Sequence, residues 1–235
     1  MTTRKRISVI ALLMTVAAGV LSPAAEAAAA RYITVSAQGS VKVVPDAVRI
    51  NATATAVAAT RKEALAATAK TATAVRAALK TAKVDTKDIA TQSVTVYPEY
   101  QYSADGTSKL TGYRGSQSFT IVVRAADTAG ALVDSLVAAG GDNLQINGAT
   151  PFVLDSTKSL EAARAAAVKS AQSKASSYAK LMSAKLGKVN YLVENSAPTN
   201  YTPVMAVAKA ESDATVIDLG QQDVTISVTV QWSLL

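Results

Sequence analysis

The sequence predicts an α+β fold, with mixed or antiparallel sheets packed against two long alanine-rich helices and one short helix. Three observations carry that reading. Several segments alternate apolar and polar residues with period two, as strands with one buried face do. Two long stretches instead repeat apolar residues at three- and four-residue spacings, the period of an amphipathic helix. Hairpin signals are mixed among the helical segments, which favours α+β over a purely parallel α/β sheet.

The elements follow in order. Tyr32 to Ser36 reads as a short strand ended by Gly39, with Val41 to Val44 as its extension and Pro45-Asp46 as a turn. Val48, Ile50, Ala52, Ala54 and Ala56 alternate with polar residues, so one face is buried, and its small alanines imply a close neighbour. Thr60 and Glu63 have the spacing of a capping box. The helix they open carries Leu65, Thr68, Ala72, Val75 and Leu79 to about Ala82. Val94 to Tyr102 returns to period two, and Ser103-Ala104-Asp105-Gly106 is a hairpin signal. Pro98 suits an edge or a bulge, because proline donates no ladder hydrogen bond. The returning strand holds Tyr113, Phe119, Ile121 and Val123.

Asp127 is the expected cap of a short helix containing Leu132, Val133, Leu136 and Val137, which Gly140-Gly141 ends. Leu144 to Val153 is a strand interrupted by Gly148 and Pro151. Asp155 or Ser156 caps the longest helix, expected from Leu160 to Leu186, with a stripe of Leu160, Ala163, Ala167, Ala171, Tyr178, Leu181 and Met182. Gly187 is its expected stop, and Val189 to Val193 a strand. Residues 195–213 read as a long flexible loop. The final strand alternates Val224, Ile226, Val228, Val230 and Trp232 with polar residues.

Composition limits the chemistry. Of 235 residues, 49% are hydrophobic and 17% charged, which excludes a mostly disordered chain. Cysteine and histidine are both absent. Disulfides, thiolate metal sites and histidine-based catalysis are therefore out of reach, and a metal site would need oxygen ligands alone. Arg4, Lys5 and Arg6 precede an apolar run from Ile7 to Leu21, followed by Ser22-Pro23 and small residues. That order marks a signal peptide over residues 1–27, with Ala25-Glu26-Ala27 as a cleavage option. The run is shorter than the roughly 20 residues of a spanning helix, so no stable membrane span is expected after cleavage. Losing Arg4, Lys5, Arg6 and Glu26 takes the formal charge from +7 to +5. The remaining cations are dispersed, which argues against nucleic-acid binding.

Ile33-Thr34-Val35-Ser36 through Gly39 and Pro45-Asp46, then Ile89 to Ser93 with Val96-Tyr97-Pro98-Glu99-Tyr100, form an ordered set with Gly112-Tyr113-Arg114, Arg164 to Val168, and Leu186-Gly187-Lys188-Val189. In this order and spacing they resemble the SIMPL-domain (DUF541) family, over nearly all of residues 28–235. The resemblance implies an exported or envelope α+β domain without established catalysis. Some bacterial members are associated with envelope and oxidative-stress responses, and some assemble into oligomers. Ala37-Gln38 departs from the pattern, where an acidic residue or glycine is common.

Candidate sites are few. Ser177 and Lys180 form an S-x-x-K pattern on one helix face, but its companion elements are absent and a solvated face accounts for it. Asp85 and Asp88 could serve acid–base or cation chemistry, although turn and cap roles explain them. Gly112 and Gly115 lie among strand residues and lack the context of a phosphate loop. Asn51-Ala52-Thr53 is a glycosylation sequon in mid-strand. Tyr97, Tyr100 and Tyr113 are the candidate interface residues, since tyrosine combines contact area with a polar tip. No catalytic, cofactor or metal-binding residue is assigned.

The expected function is that of an exported, non-catalytic binding or scaffold protein, secreted, periplasmic or cell-wall-associated. Its expected partners are further copies of itself and an unidentified envelope protein. A small-ligand carrier is the alternative, and a serine- or carboxylate-dependent hydrolase is weaker. The signal-peptide reading makes a direct prediction. N-terminal sequencing of protein recovered from the envelope should start within a few residues of Ala28, and an intact Met1 in that pool would contradict it.

Overall fold

Among the described residues, seven strands form two antiparallel sheets, each carrying helix on one face. A computed structural model describes residues 31–104, 106–195 and 214–235. The expected signal segment at 1–27 and nearly all of the expected loop at 195–213 lie outside those residues. The first sheet has the order β3-β4-β2-β5, from Ile89–Tyr102 (β3), Ser108–Val123 (β4), Ala47–Ala58 (β2) and Leu144–Phe152 (β5). The second has the order β1-β7-β6, from Tyr32–Val43 (β1), Gln222–Leu234 (β7) and Leu186–Asn195 (β6). Helices α1 (Arg61–Thr81) and α2 (Ala129–Gly140) serve the first sheet, and α3 (Thr157–Leu181) the second.

Alternation does what the sequence suggests in the central strands. Val48, Ile50, Ala52, Ala54 and Ala56 of β2 are buried, and their β4 partners include Phe119, Ile121 and Val123. Val224, Ile226, Val228, Val230 and Trp232 of β7 are likewise buried. The capping box forms: Glu63 N–H donates to Thr60 Oγ1 and Thr60 N–H to Glu63 Oε2, each at 3.2 Å. The hairpin between β3 and β4 closes with Gly106 N–H donating to Ser103 O at 3.0 Å, with Gly106 at φ 83°.

The helix stripes differ from expectation. In α1 the buried row runs through Ala64, Thr68, Ala72, Val75 and Leu79, and Leu65 points away. In α3 it is Ala163, Ala167, Ala171, Ala175 and Ala179, while Tyr178, Leu181 and Met182 are exposed. The reason is space. A Cβ on Gly39 would lie 2.2 Å from Ala167 N and 2.3 Å from Ala163 O. A Cβ on Gly115 would lie 2.8 Å from Ala64 O and 2.5 Å from Thr68 Oγ1. Helix backbone rests on strand backbone, and no large side chain fits between them.

Gly39 therefore sits inside β1 and does not end it. Gly187 likewise lies in β6, not at a helix end. The stop of α3 comes earlier, by the same device that stops α1. Val84 N–H donates to Leu79 O and Lys83 N–H to Lys80 O, both at 3.0 Å. Ala184 N–H donates to Ala179 O at 2.9 Å and Ser183 N–H to Lys180 O at 3.0 Å. These are Schellman closures, with Lys83 (φ 59°) and Ser183 (φ 52°) in the left-handed position usually given to glycine.

Other expectations shift locally. Asp127 makes no cap; it lies in a 3₁₀ turn before α2, whose Val137 is exposed. Strand β5 runs unbroken through Pro151 and Gly148, where a register shift against Asn51/Ala52 absorbs the glycine. Asp155 accepts the Thr157 N–H at 3.0 Å just ahead of α3, and Ser156 makes no side-chain cap. Pro98 falls on β3, an edge strand, as its missing donor requires.

The close helix–strand contact yields a stability prediction. Gly39→Ala should destabilise by about 2–4 kcal/mol, because the new methyl meets helix backbone that cannot turn aside. Gly106→Ala meets nothing within 4 Å and should cost only about 1 kcal/mol for its positive φ. Urea denaturation of both variants checks the contrast.

Candidate functional site

The candidate interface tyrosines lie on the long β3–β4 hairpin, but not as one patch. Tyr97 pairs across the ladder with Arg114, and Pro98 with Tyr113. Alternation thus places Tyr97 and Tyr113 on opposite faces. Tyr113 is half-buried on the helix side, where the Arg61 guanidinium lies 5.2 Å from its ring centre. Tyr97 is 48% exposed, on the open face where Arg114 forms an ion pair with Glu99. Tyr100 is 46% exposed and lies opposite Leu110, beyond a register shift at Glu99/Tyr100. Of the three, Tyr97 and Tyr100 share the free edge strand, and Tyr113 belongs to the strand behind it.

The other motifs take structural places. Ser177 and Lys180 are exposed on α3. Asn51 is half-buried in β2, where its Oδ1 accepts the Thr120 hydroxyl at 2.9 Å. Gly112 and Gly115 are both buried strand residues of β4.

Asp85 and Asp88 occupy the connection between α1 and β3, and the fold gives them different partners. Asp88 N–H donates to Asp85 O at 2.9 Å, closing a 3₁₀ turn over Thr86–Asp88. Pairing of Ile89 with Ile121 brings the start of β3 beside the end of β4. Arg124, one residue past β4, then grips Asp88 with both prongs: Nε to Oδ2 at 2.6 Å and Nη2 to Oδ1 at 2.7 Å. The Asp88 carboxylate is almost fully buried, and Arg124 is half exposed. Hydrogen bonding from Arg124 holds the Asp88 carboxyl below its ordinary range, against the opposing effect of burial. Asp85 pairs instead with Lys87 at 3.0 Å on the surface.

A cavity of about 420 Å³ opens beside this pair, where the end of α1, the exit of β4 and α2 meet. Lys83, Asp85, Asp88 and Arg124 line it together with Val84, Val122 and Leu132. Sequence reasoning missed Lys83 and Arg124. Arg124 follows a strand whose last buried residue is Val123, and nothing in the local pattern points to an acid 36 positions earlier. Among the described residues, no group of three or more carboxylates is placed to hold a metal ion. None of their helices is long and apolar enough to cross a membrane.

The model of the SIMPL family, described as a protein of unknown function (DUF541), matches residues 33–232. The chain belongs to the SIMPL family. A 26 kDa periplasmic immunogenic protein of Brucella melitensis is 27% identical over 215 residues, covering 86% of this chain and 84% of that one. An uncharacterized protein YggE of Edwardsiella ictaluri is 28% identical, covering 85% and 84% of the two chains. Escherichia coli YggE is 29% identical, covering 77% and 72%. The chain is an exported protein, in keeping with the periplasmic name of the Brucella relative, and among the described residues its antiparallel sheets and three α-helices agree with the α+β expectation.

The Asp88–Arg124 pair predicts a pH signature. The folded pKa of Asp88 lies below its ordinary value of 3.8. Its contribution to stability is therefore complete above that value and fades as pH falls through the folded pKa. Asp88→Asn should be less stable than the parent at pH 7, and the gap should narrow below about pH 4. Urea midpoints of both proteins across a pH series test this; a gap unchanged by pH would contradict it.

Proposed function

We propose that this SIMPL-family chain is a non-catalytic binding or scaffold protein of the cell envelope that associates with further copies of itself through the β3 edge. One observation carries the reading. β3 is a 14-residue edge strand with Val94, Tyr97, Tyr100 and Tyr102 all exposed, in a protein whose aromatics make up only 5% of residues. A free edge presents unpaired backbone donors and acceptors, and tyrosine adds contact area at low entropic cost. The periplasmic name of the Brucella relative supports the periplasm as the compartment. An envelope protein seated on the same hairpin is the accompanying proposal for a second partner.

The self-association reading is tested by changing Tyr97 and Tyr100 together to Ser. Each lost contact is worth about 1 kcal/mol, enough to move a marginal equilibrium severalfold towards monomer. Sedimentation velocity of parent and double variant over a concentration series provides the measurement. A parent that stays monomeric at high micromolar concentration overturns self-association. Equal assembly of both proteins overturns this hairpin as the interface.

A further inference from the structure

The cavity beside Arg124 is a second feature, independent of the hairpin. At about 420 Å³ it falls in the range of small-molecule sites. Its walls divide into an apolar side, with Val84, Val122 and Leu132, and a charged side, with Lys83 and Arg124.

The carboxylates at the cavity are already matched. Asp88 engages Nε and Nη2 of Arg124, and Asp85 engages Lys87. The Asp88 fork fixes the plane of the guanidinium and leaves Nη1 without an acceptor among the described residues. A guanidinium clamped on one edge and open on the other is pre-organised for a second oxyanion. Lys83 forms no ion pair among the described residues. It also occupies the left-handed position that ends α1, where glycine is the residue of least strain. One unmatched positive charge beside an apolar wall suits a monoanion with a hydrocarbon tail. A compact dianion would meet Asp85 and Asp88 and gain nothing from the valines and leucine.

We propose that this cavity binds a small aliphatic carboxylic acid, its carboxylate held by Arg124 and Lys83 and its chain against Val84, Val122 and Leu132. The test is titration of the ¹⁵N-labelled mature protein with sodium hexanoate, followed by amide chemical shifts. Parallel titrations use 1-hexanol and inorganic phosphate. Hexanoate should saturate with a Kd of about 1 mM or below, and its shifts should centre on residues 83–88, 122–125 and 128–135. Hexanol and phosphate should bind at least about tenfold more weakly. Lys83→Gly should keep or raise the urea midpoint, because it relieves the positive φ, yet weaken hexanoate about five- to tenfold. A variant that is no less stable but binds poorly separates a lost contact from a damaged fold. Absence of saturation, shifts centred elsewhere, hexanol or phosphate binding as well as hexanoate, or unchanged affinity in Lys83→Gly would each overturn the proposal.

Discussion

The fold depends on one contact made twice: helix backbone laid directly on strand backbone at a glycine. In the second sheet, Gly39 of β1 lies beneath Ala163 and Ala167 of α3. In the first, Gly115 of β4 lies beneath Ala64 and Thr68 of α1. This spacing leaves little room between layers, so the helices present alanine and threonine where most domains present leucine. It explains the alanine-rich composition and the modest core. The large buried groups are drawn from the strands, from α2 and from α1 beyond its contact with Gly115: Phe119, Ile50, Ile121, Leu79 and Leu136 in one core, and Trp232 with the β7 valines in the other. Thr68 fits this crowded layer because its hydroxyl donates to Ala64 O at 2.9 Å, leaving no buried donor unsatisfied.

The same constraint shapes the ends of both long helices. Each closes through a Schellman motif with a non-glycine residue at positive φ, and each feeds a strand. The resemblance stops there. After Ser183 the chain passes almost directly into β6. After Lys83 it makes a 3₁₀ turn first, and that turn carries Asp88 to Arg124 and leaves the cavity against α2. The two halves share a packing device, and their chemistry differs because one short connection differs. Burial of Asp88 is tolerable only because Arg124 meets both its oxygens; an unpaired carboxylate there would face the full desolvation cost.

What the sequence disclosed and what it hid follow from the range of the forces involved. The β2 and β7 faces were legible because alternation is local and both strands are central. The Thr60–Glu63 capping box was legible because its parts are three residues apart. Leu65, Tyr178, Leu181 and Met182 were misplaced because hydrophobicity ranks them as core formers. Leu65 turns outward where Gly115 brings strand backbone against Ala64 and Thr68, Tyr178 lies outside the alanine row that continues from the Gly39 contact, and Leu181 and Met182 fall at the end of α3. Gly39 read as a strand end for the same reason: permissive dihedrals and close approach leave identical marks in a sequence. Asp88 was seen and its turn recognised, but Arg124 was not, because a pairing across 36 residues has no periodicity. The tyrosines were found as a cluster, and their division between strands and faces depended on the ladder register.

The edges of the two sheets are guarded in different ways, which bears on the proposal that β3 meets a partner. β5 is short, has a register shift beside Gly148, and carries Pro151 near its end. On β1, the Lys174 ammonium of α3 reaches over to the Ser36 carbonyl at 3.2 Å. β6 is interrupted by two register shifts and carries Lys188 and Asn190 among its exposed residues. Lysines, prolines and bulges are the usual means of blunting an edge. β3 is not free of these devices: it carries Pro98 and register shifts at Thr91/Ser93 and Glu99/Tyr100, with Val94 and Tyr97 exposed before the proline and Tyr100 and Tyr102 after it. Proline removes one donor from the ladder but leaves carbonyl acceptors and the flanking amides in place. A partner strand on β3 would lose a hydrogen bond at Pro98, would have to follow the irregular register near Thr91/Ser93 and Glu99/Tyr100, and would gain tyrosine contacts on both sides of the proline. This balance between a local loss and exposed tyrosine surface is what the binding or scaffold reading requires of an edge; β6 also exposes Val189, Tyr191, Leu192 and Val193, but beside Lys188 and with one tyrosine where β3 has three.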